Sequence, residues 1–106
     1  EAAVRALLSP SGANVKLYPG YIPDTFAGAD IPQLAYAHVD VDLYQSVLDC
    51  VEFIYPRLVA GGILIFDDYG FPSCSRAREA ADQAFAPKRE KPIYLPTGQA
   101  LVLKLA

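Results

Sequence analysis

Two apolar runs that each end in aspartates constrain the fold of this chain more than any other feature. The first is Leu34 to Val39, followed by Asp40-Val41-Asp42. The second is Ile63 to Phe66, preceded by Gly61-Gly62 and followed by Asp67-Asp68. An apolar run bounded by Gly or Pro reads as a strand buried on both faces, as in parallel sheets. Between the runs, Leu43, Val47, Cys50, Val51, Ile54 and Leu58 recur at helical spacing. Strand, helix and strand in that order form a parallel unit. In open α/β sheets, ligands bind at the carboxyl ends of such strands. Acids gathered on that rim repel one another unless protons or a cation intervene. A hard divalent metal with oxygen ligands is the simplest resolution.

The remaining pattern fits around that unit. Glu1 to Leu8 has helical spacing and stops at Ser9-Pro10-Ser11-Gly12. Asn14 to Tyr18 alternates and predicts a short strand, turned by Pro19-Gly20. Tyr21 to Phe26 predicts a helical turn or loop. Asp42 is expected to cap the central helix, Pro56 to kink its last turns and Gly61 to close it. Ser73 or Ser75 is expected to cap a further helix, with Ala77, Ala80, Ala81, Ala84 and Phe85 inside and Pro87 at its end. Ile93 to Leu95 and Ala100 to Leu103 flank the short loop Pro96-Thr97-Gly98-Gln99 and predict an antiparallel hairpin.

The 106 residues allow one domain, large enough for a core of its own. An apolar fraction of 53% with 20% charged residues is that of an ordinary soluble globular protein, and the net charge of -3 argues against nucleic-acid and membrane-surface partners. Lys88-Arg89-Glu90-Lys91 is short and contains an acid, so it reads as a solvated loop. Cys50 and Cys74 lack metal-type or redox-type spacing, which suits a reducing, cytoplasmic setting. The chain does not open on Met, and its first residues already look helical; the expectation is that it begins inside a larger domain.

The acids divide by geometry. The chain is expected to turn into the helix between Asp40 and Asp42, so Asp40 faces the site and Asp42 caps. The competing view makes all four aspartates caps and solvated loop ends. His38, inside the first strand, is either a core histidine satisfied by one hydrogen bond or a ligand-contacting group beside Asp40. Tyr44 and Tyr69 either wall a pocket or pack.

Together, His38-Val39-Asp40-Val41-Asp42-Leu43-Tyr44-Gln45-Ser46, Tyr55 to Gly70, Cys74 to Phe85 and Val15 to Phe26 resemble the macrocin O-methyltransferase family. The resemblance implies a class I, Rossmann-like methyltransferase sheet. The expected fold is thus α/β, a partial sheet with helices on both faces and a C-terminal hairpin. It also implies S-adenosylmethionine as methyl donor and Mg²⁺ held by Asp40, Asp67 and Asp68. Gly20 and Tyr21 would lie near the adenine, and the acceptor would be a sugar or polyol-like hydroxyl. Two departures stand out. Arg76 occupies a position where many relatives have Gly. More important, the chain has no Gly-rich strand-to-helix loop, so cofactor binding by the chain alone is doubtful, and residues 1–106 are expected to be one partial domain. The alternatives are a non-catalytic interaction module of the same fold or a Mg²⁺-dependent phosphohydrolase. The missing upstream strands would leave an exposed edge for a homodimer.

Overall fold

The computed structural model describes residues 2–8, 14–41, 43–70 and 75–106. Its elements are α1 (Ala2–Leu8), a 3-10 turn at Asp24–Gly28, β1 (Leu34–Val39), α2 (Tyr44–Ile54), a 3-10 turn at Tyr55–Arg57, β2 (Leu58–Phe66), α3 (Ser75–Phe85), β3 (Ile93–Tyr94) and β4 (Ala100–Leu103). The four strands form one sheet in the order β1-β2-β4-β3. β1 and β2 are parallel, and β4 is antiparallel to both β2 and β3. The parallel unit and the C-terminal hairpin expected from the sequence are both present.

Register sorts the sheet into two faces, because paired residues project to the same side. Ala37, Leu64 and Val102 form one row, and Val39, Phe66 and Ala100 the next. These rows carry α2 and α3, which also pack on each other. The helices contribute Val47, Cys50, Val51 and Ile54 from α2, and Ala77, Ala80, Ala81 and Phe85 from α3. Alanines at the α3 positions let that helix approach closely. The ring of Phe85 meets Phe66 edge-on, at 6.1 Å between centroids. Burying a ring of that size contributes roughly 2–3 kcal/mol. Both long helices lie on this one face. The opposite face carries Tyr36, Ile63 and Leu103, then His38, Ile65 and Leu101.

Several local expectations are corrected. Residues 14–19 form no strand, although burial still alternates, with Val15 and Leu17 half-buried and Lys16 and Tyr18 exposed. A strand requires a neighbour to complete its ladder, and all four strands of the sheet lie elsewhere in the chain. Leu43 is not on the buried stripe of α2. It is the N-cap residue, with extended backbone, and is 66% exposed. Asp42, the expected cap, and Ser73 lie outside the described residues.

Gly61 does not close a helix. Pro56 stands in the 3-10 turn that ends the helical run, and β2 has already begun at Leu58. Gly61 sits inside β2 with φ +83°. Leu34 pairs with Leu58 but Tyr36 pairs with Ile63, so the extra residues of β2 bulge around this glycine. Its N–H donates to the Lys104 carbonyl at 2.8 Å, which keeps the bulge tied to the chain beyond β4.

The basic stretch is a loop with Arg89 and Lys91 exposed, as expected, but it is not solvated throughout. Glu90 is buried, at 5% exposure. The ammonium of Lys88 donates to the Ala84 carbonyl, and that of Lys91 to the carbonyls of Phe85, Ala86 and Lys88. These cations satisfy carbonyls at the end of α3 that the helix itself leaves open. Cys50 is a buried free thiol, and burial, with the nearby Asp49 charge, pushes its pKa up to about 11. Cys74 lies outside the described residues.

Candidate metal centre

The site grows from the register of β1 and β2. Val39 is paired with Phe66, and the ladder continues one step, with the Asp67 N–H donating to the Val39 carbonyl at 2.9 Å. The next residues on the two chains are therefore Asp40 and Asp67, side by side at the carboxyl rim. Asp68 follows immediately. One carboxylate oxygen from each of Asp40, Asp67 and Asp68 lies within 4.8 Å of the others, with Asp40 exposed and the other two half-buried. Ligands of an octahedral cation at about 2.1 Å stand roughly 3.0 Å apart in cis and 4.2 Å in trans. A separation of at most 4.8 Å is close to that spacing, and hard oxygen donors of this kind suit Mg²⁺ or Mn²⁺.

Asp67 is held by two side chains from other parts of the sheet. Its Oδ1 lies 2.9 Å from the side-chain amide nitrogen of Gln99 and 3.1 Å from Nε2 of His38. The Gln99 amide, then the His38 ring, hold its carboxyl below the usual carboxylate range. It is therefore anionic at neutral pH, as a ligand must be. His38 is exposed on the open face of the sheet and turned towards Asp67. It is not a core histidine. The sequence left open a place beside Asp40, and the register sets the ring against Asp67.

Gln99 carried no signal as a site residue. Its place in a turn between two short strands was legible, but its reach to Asp67 across the sheet was not. Tyr69 packs: it is buried, and its hydroxyl donates to Oδ1 of Asp82 on α3 at 2.5 Å. Tyr44 is half-buried and donates to Gln83, with the Arg76 guanidinium 4.5 Å above its ring. Arg76 also pairs with Glu79 at 3.3 Å, so it fits the first turn of α3 without disturbing it.

Gly20 and Tyr21 are not part of the acidic cluster. They precede the turn at Asp24–Gly28, with Gly20 at φ +136° and Tyr21 87% exposed. Neither β-to-α connection carries a glycine-rich turn. The one after β1 runs through Asp40 to Leu43, and the one after β2 through Asp67-Asp68-Tyr69-Gly70-Phe71-Pro72-Ser73-Cys74. A glycine-rich turn is what lets backbone approach the phosphate or ribose of a nucleoside cofactor closely. Among the described residues, no helix is long and apolar enough to cross a membrane.

Known proteins share this fold. The whole chain superposes on the O-methyltransferase NovP with a TM-score of 0.85 at 27% identity, covering 45% of that protein. It also matches CalS11, a TDP-rhamnose 3'-O-methyltransferase of calicheamicin biosynthesis, with a TM-score of 0.63 at 25% identity, over 77% of this chain and 36% of that one. In sequence it is 43% identical over 64 residues to a rhamnosyl-tetracenomycin-C 4'-O-methyltransferase of Streptomyces olivaceus. It is 40% identical over 64 residues to mycinamicin III 3''-O-methyltransferase of Micromonospora griseorubida. Those matches span 60% of this chain and about a quarter of each relative, 24% and 25%. The profile of the macrocin-O-methyltransferase (TylF) family matches residues 7–90, a span that takes in both aspartate-bearing strands and the helices between and after them. With the sheet, the register and that match in agreement, this chain belongs to the macrocin O-methyltransferase family.

Proposed function

We propose that this chain is the cation-holding, carboxyl-terminal part of a larger S-adenosylmethionine-dependent O-methyltransferase that methylates a hydroxyl of a sugar or polyol-like small molecule. The observation that carries the reading is the convergence of Asp40, Asp67 and Asp68 within 4.8 Å at the carboxyl rim of two parallel strands. Family membership supports methyl transfer to oxygen, and the rhamnosyl and TDP-rhamnose acceptors named for relatives favour a sugar hydroxyl.

The residues have distinct tasks in this reading. Asp40, Asp67 and Asp68 present anionic oxygens at one point of the rim. The Gln99 amide and His38 ring hold Asp67 ionised and oriented. Mg²⁺ bound there would orient substrate oxygens and favour the deprotonated one. S-adenosylmethionine would supply the electrophilic methyl group. Gly20 and Tyr21 are proposed to border its adenine, and the rest of its cradle belongs to parts of the enzyme beyond these residues. The buried free thiol of Cys50 suits a reducing, cytoplasmic location.

The test is methylation of rhamnosides and sugar nucleotides by the whole enzyme that contains this chain, with S-adenosylmethionine as donor, read by mass spectrometry as the gain of one methylene mass. Product formed with Mg²⁺ and lost with a chelator supports the reading. Methylation that is indifferent to chelation removes the cation from it. Phosphate release from a phosphoester in place of methylation overturns it.

A further inference from the structure

We propose that Gln99 is the positioning residue of the cation site, fixing Asp67 so that Oδ2 is the oxygen offered to the metal. The proposal rests on the cation reading of Asp40, Asp67 and Asp68 above. A carboxylate oxygen has two lone-pair directions. On Asp67, both are used at Oδ1, one by the Gln99 amide at 2.9 Å and one by His38 Nε2 at 3.1 Å. The other oxygen is then the one directed to a shared ion, and Asp67 enters the coordination sphere through a single atom.

Gln99 suits this task because its other contacts are also fixed. Its Oε1 accepts the Thr97 hydroxyl at 3.1 Å, which orients the amide so that its nitrogen faces Asp67. Its carbonyl accepts the Leu95 N–H at 2.8 Å, closing the hairpin turn. The same turn grips the acidic loop through the main chain, where the Gly70 N–H donates to the Gly98 carbonyl at 2.7 Å. The turn between β3 and β4 thus holds the segment after β2 at two points. The charge state of Gln99 matters as well. A neutral amide orients a carboxylate without cancelling its charge, so Asp67 keeps its full attraction for a cation. A lysine there would donate equally well and repel the ion. His38 adds a second donor, but its side chain is 39% exposed, so water competes for that contact.

The experiment is Mn²⁺ titration of the protein followed by electron paramagnetic resonance. It compares wild type with Asp67→Ala, Gln99→Leu, Gln99→Lys and Thr97→Val, and melting curves verify folding. Gln99→Leu is expected to weaken Mn²⁺ binding about tenfold, the usual scale for losing a group that orients a metal ligand. Gln99→Lys is expected to weaken it further, although it keeps a donor, and a purely structural role would not produce that order. Where Gln99→Leu does not fold, Thr97→Val takes its place, with an expected loss of about threefold. Asp67→Ala separates the two readings. Binding that is lost in Asp67→Ala but stays within about twofold of wild type in Gln99→Leu overturns the positioning role and leaves the cation site standing. A folded wild type that binds no Mn²⁺ overturns both.

Discussion

The phenol of Tyr55 donates to Oε1 of Glu90 at 2.8 Å, joining the turn after α2 to the segment after α3. Oε2 of the same carboxylate accepts the Leu105 N–H at 3.0 Å, and the Lys104 ammonium caps the Tyr55 and Leu58 carbonyls close by. One buried carboxylate thus binds the C-terminal segment to the body of the fold. Glu90→Ala is expected to lower unfolding free energy by about 2 kcal/mol, because it leaves buried donors unpaired. Chemical denaturation measures this directly.

The same residue sets an acid limit. Burial opposes ionisation of Glu90, but its N–H donors, Tyr55 and Lys104 outweigh burial and hold its pKa below the ordinary 4.5. A carboxyl with a lower pKa folded than unfolded stabilises above its unfolded value, and that stability is lost as pH falls through the folded one. Melting temperature followed from about pH 7 to about pH 3 should therefore fall less steeply in Glu90→Gln than in wild type.

Two glycine-to-alanine changes should differ in kind. At Gly61 an added Cβ meets nothing within 4 Å, so only the φ of +83° resists it. A loss of about 1 kcal/mol is expected, with metal binding unchanged. At Gly70 the Cβ would stand 2.5 Å from the Tyr94 hydroxyl and 2.9 Å from the Gly98 carbonyl oxygen. Gly70→Ala must push the hairpin turn away from the acidic loop, so it should cost about 1–3 kcal/mol and also weaken Mn²⁺ binding. Equal behaviour of the two variants in melting and titration would contradict this account.

Metal binding should be visible in stability as well. A ligand that binds only the folded state raises the melting temperature with concentration. Mg²⁺ or Mn²⁺ is expected to raise that of wild type and to leave Asp67→Ala unmoved in the same calorimetric series.

Among the described residues β1 pairs on one side only, with β2, and so lies at an edge of the sheet. Residues 14–19 do not cover that edge as a strand. An open edge favours pairing with a second copy. Light scattering at about micromolar concentration should report a dimer for the 106-residue chain. Tyr36→Lys, a charge placed on this edge at a residue 57% exposed, should shift it to monomer. A wild type that is monomeric throughout would dispose of the association.

Sequence alone determined the elements whose signals are local. Leu34 to Val39 follows from its apolar run, although Tyr36 and His38 leave one face exposed where burial on both was expected; the α3 stripe of Ala77, Ala80, Ala81 and Phe85 follows from helical spacing, and the hairpin from its short glycine-containing loop. The pairing of Asp40 with Asp67-Asp68 was legible too, because two consecutive strands of a parallel unit must end on the same rim. Tertiary structure decided what depends on a neighbour. Asn14 to Tyr18 has a strand's pattern and no strand's partner. Gly61 looks like the end of a helix until the register of β1 requires a bulge there. Glu90 lies in a charged run, yet Tyr55 and Leu105 make its burial tolerable. Gln99 reaches Asp67 across 32 residues because β4 pairs with β2 and carries the hairpin turn to the rim. Periodicity records which side a residue faces within its own element. Which residues from distant elements meet there is a property of register and packing, and no local pattern encodes it.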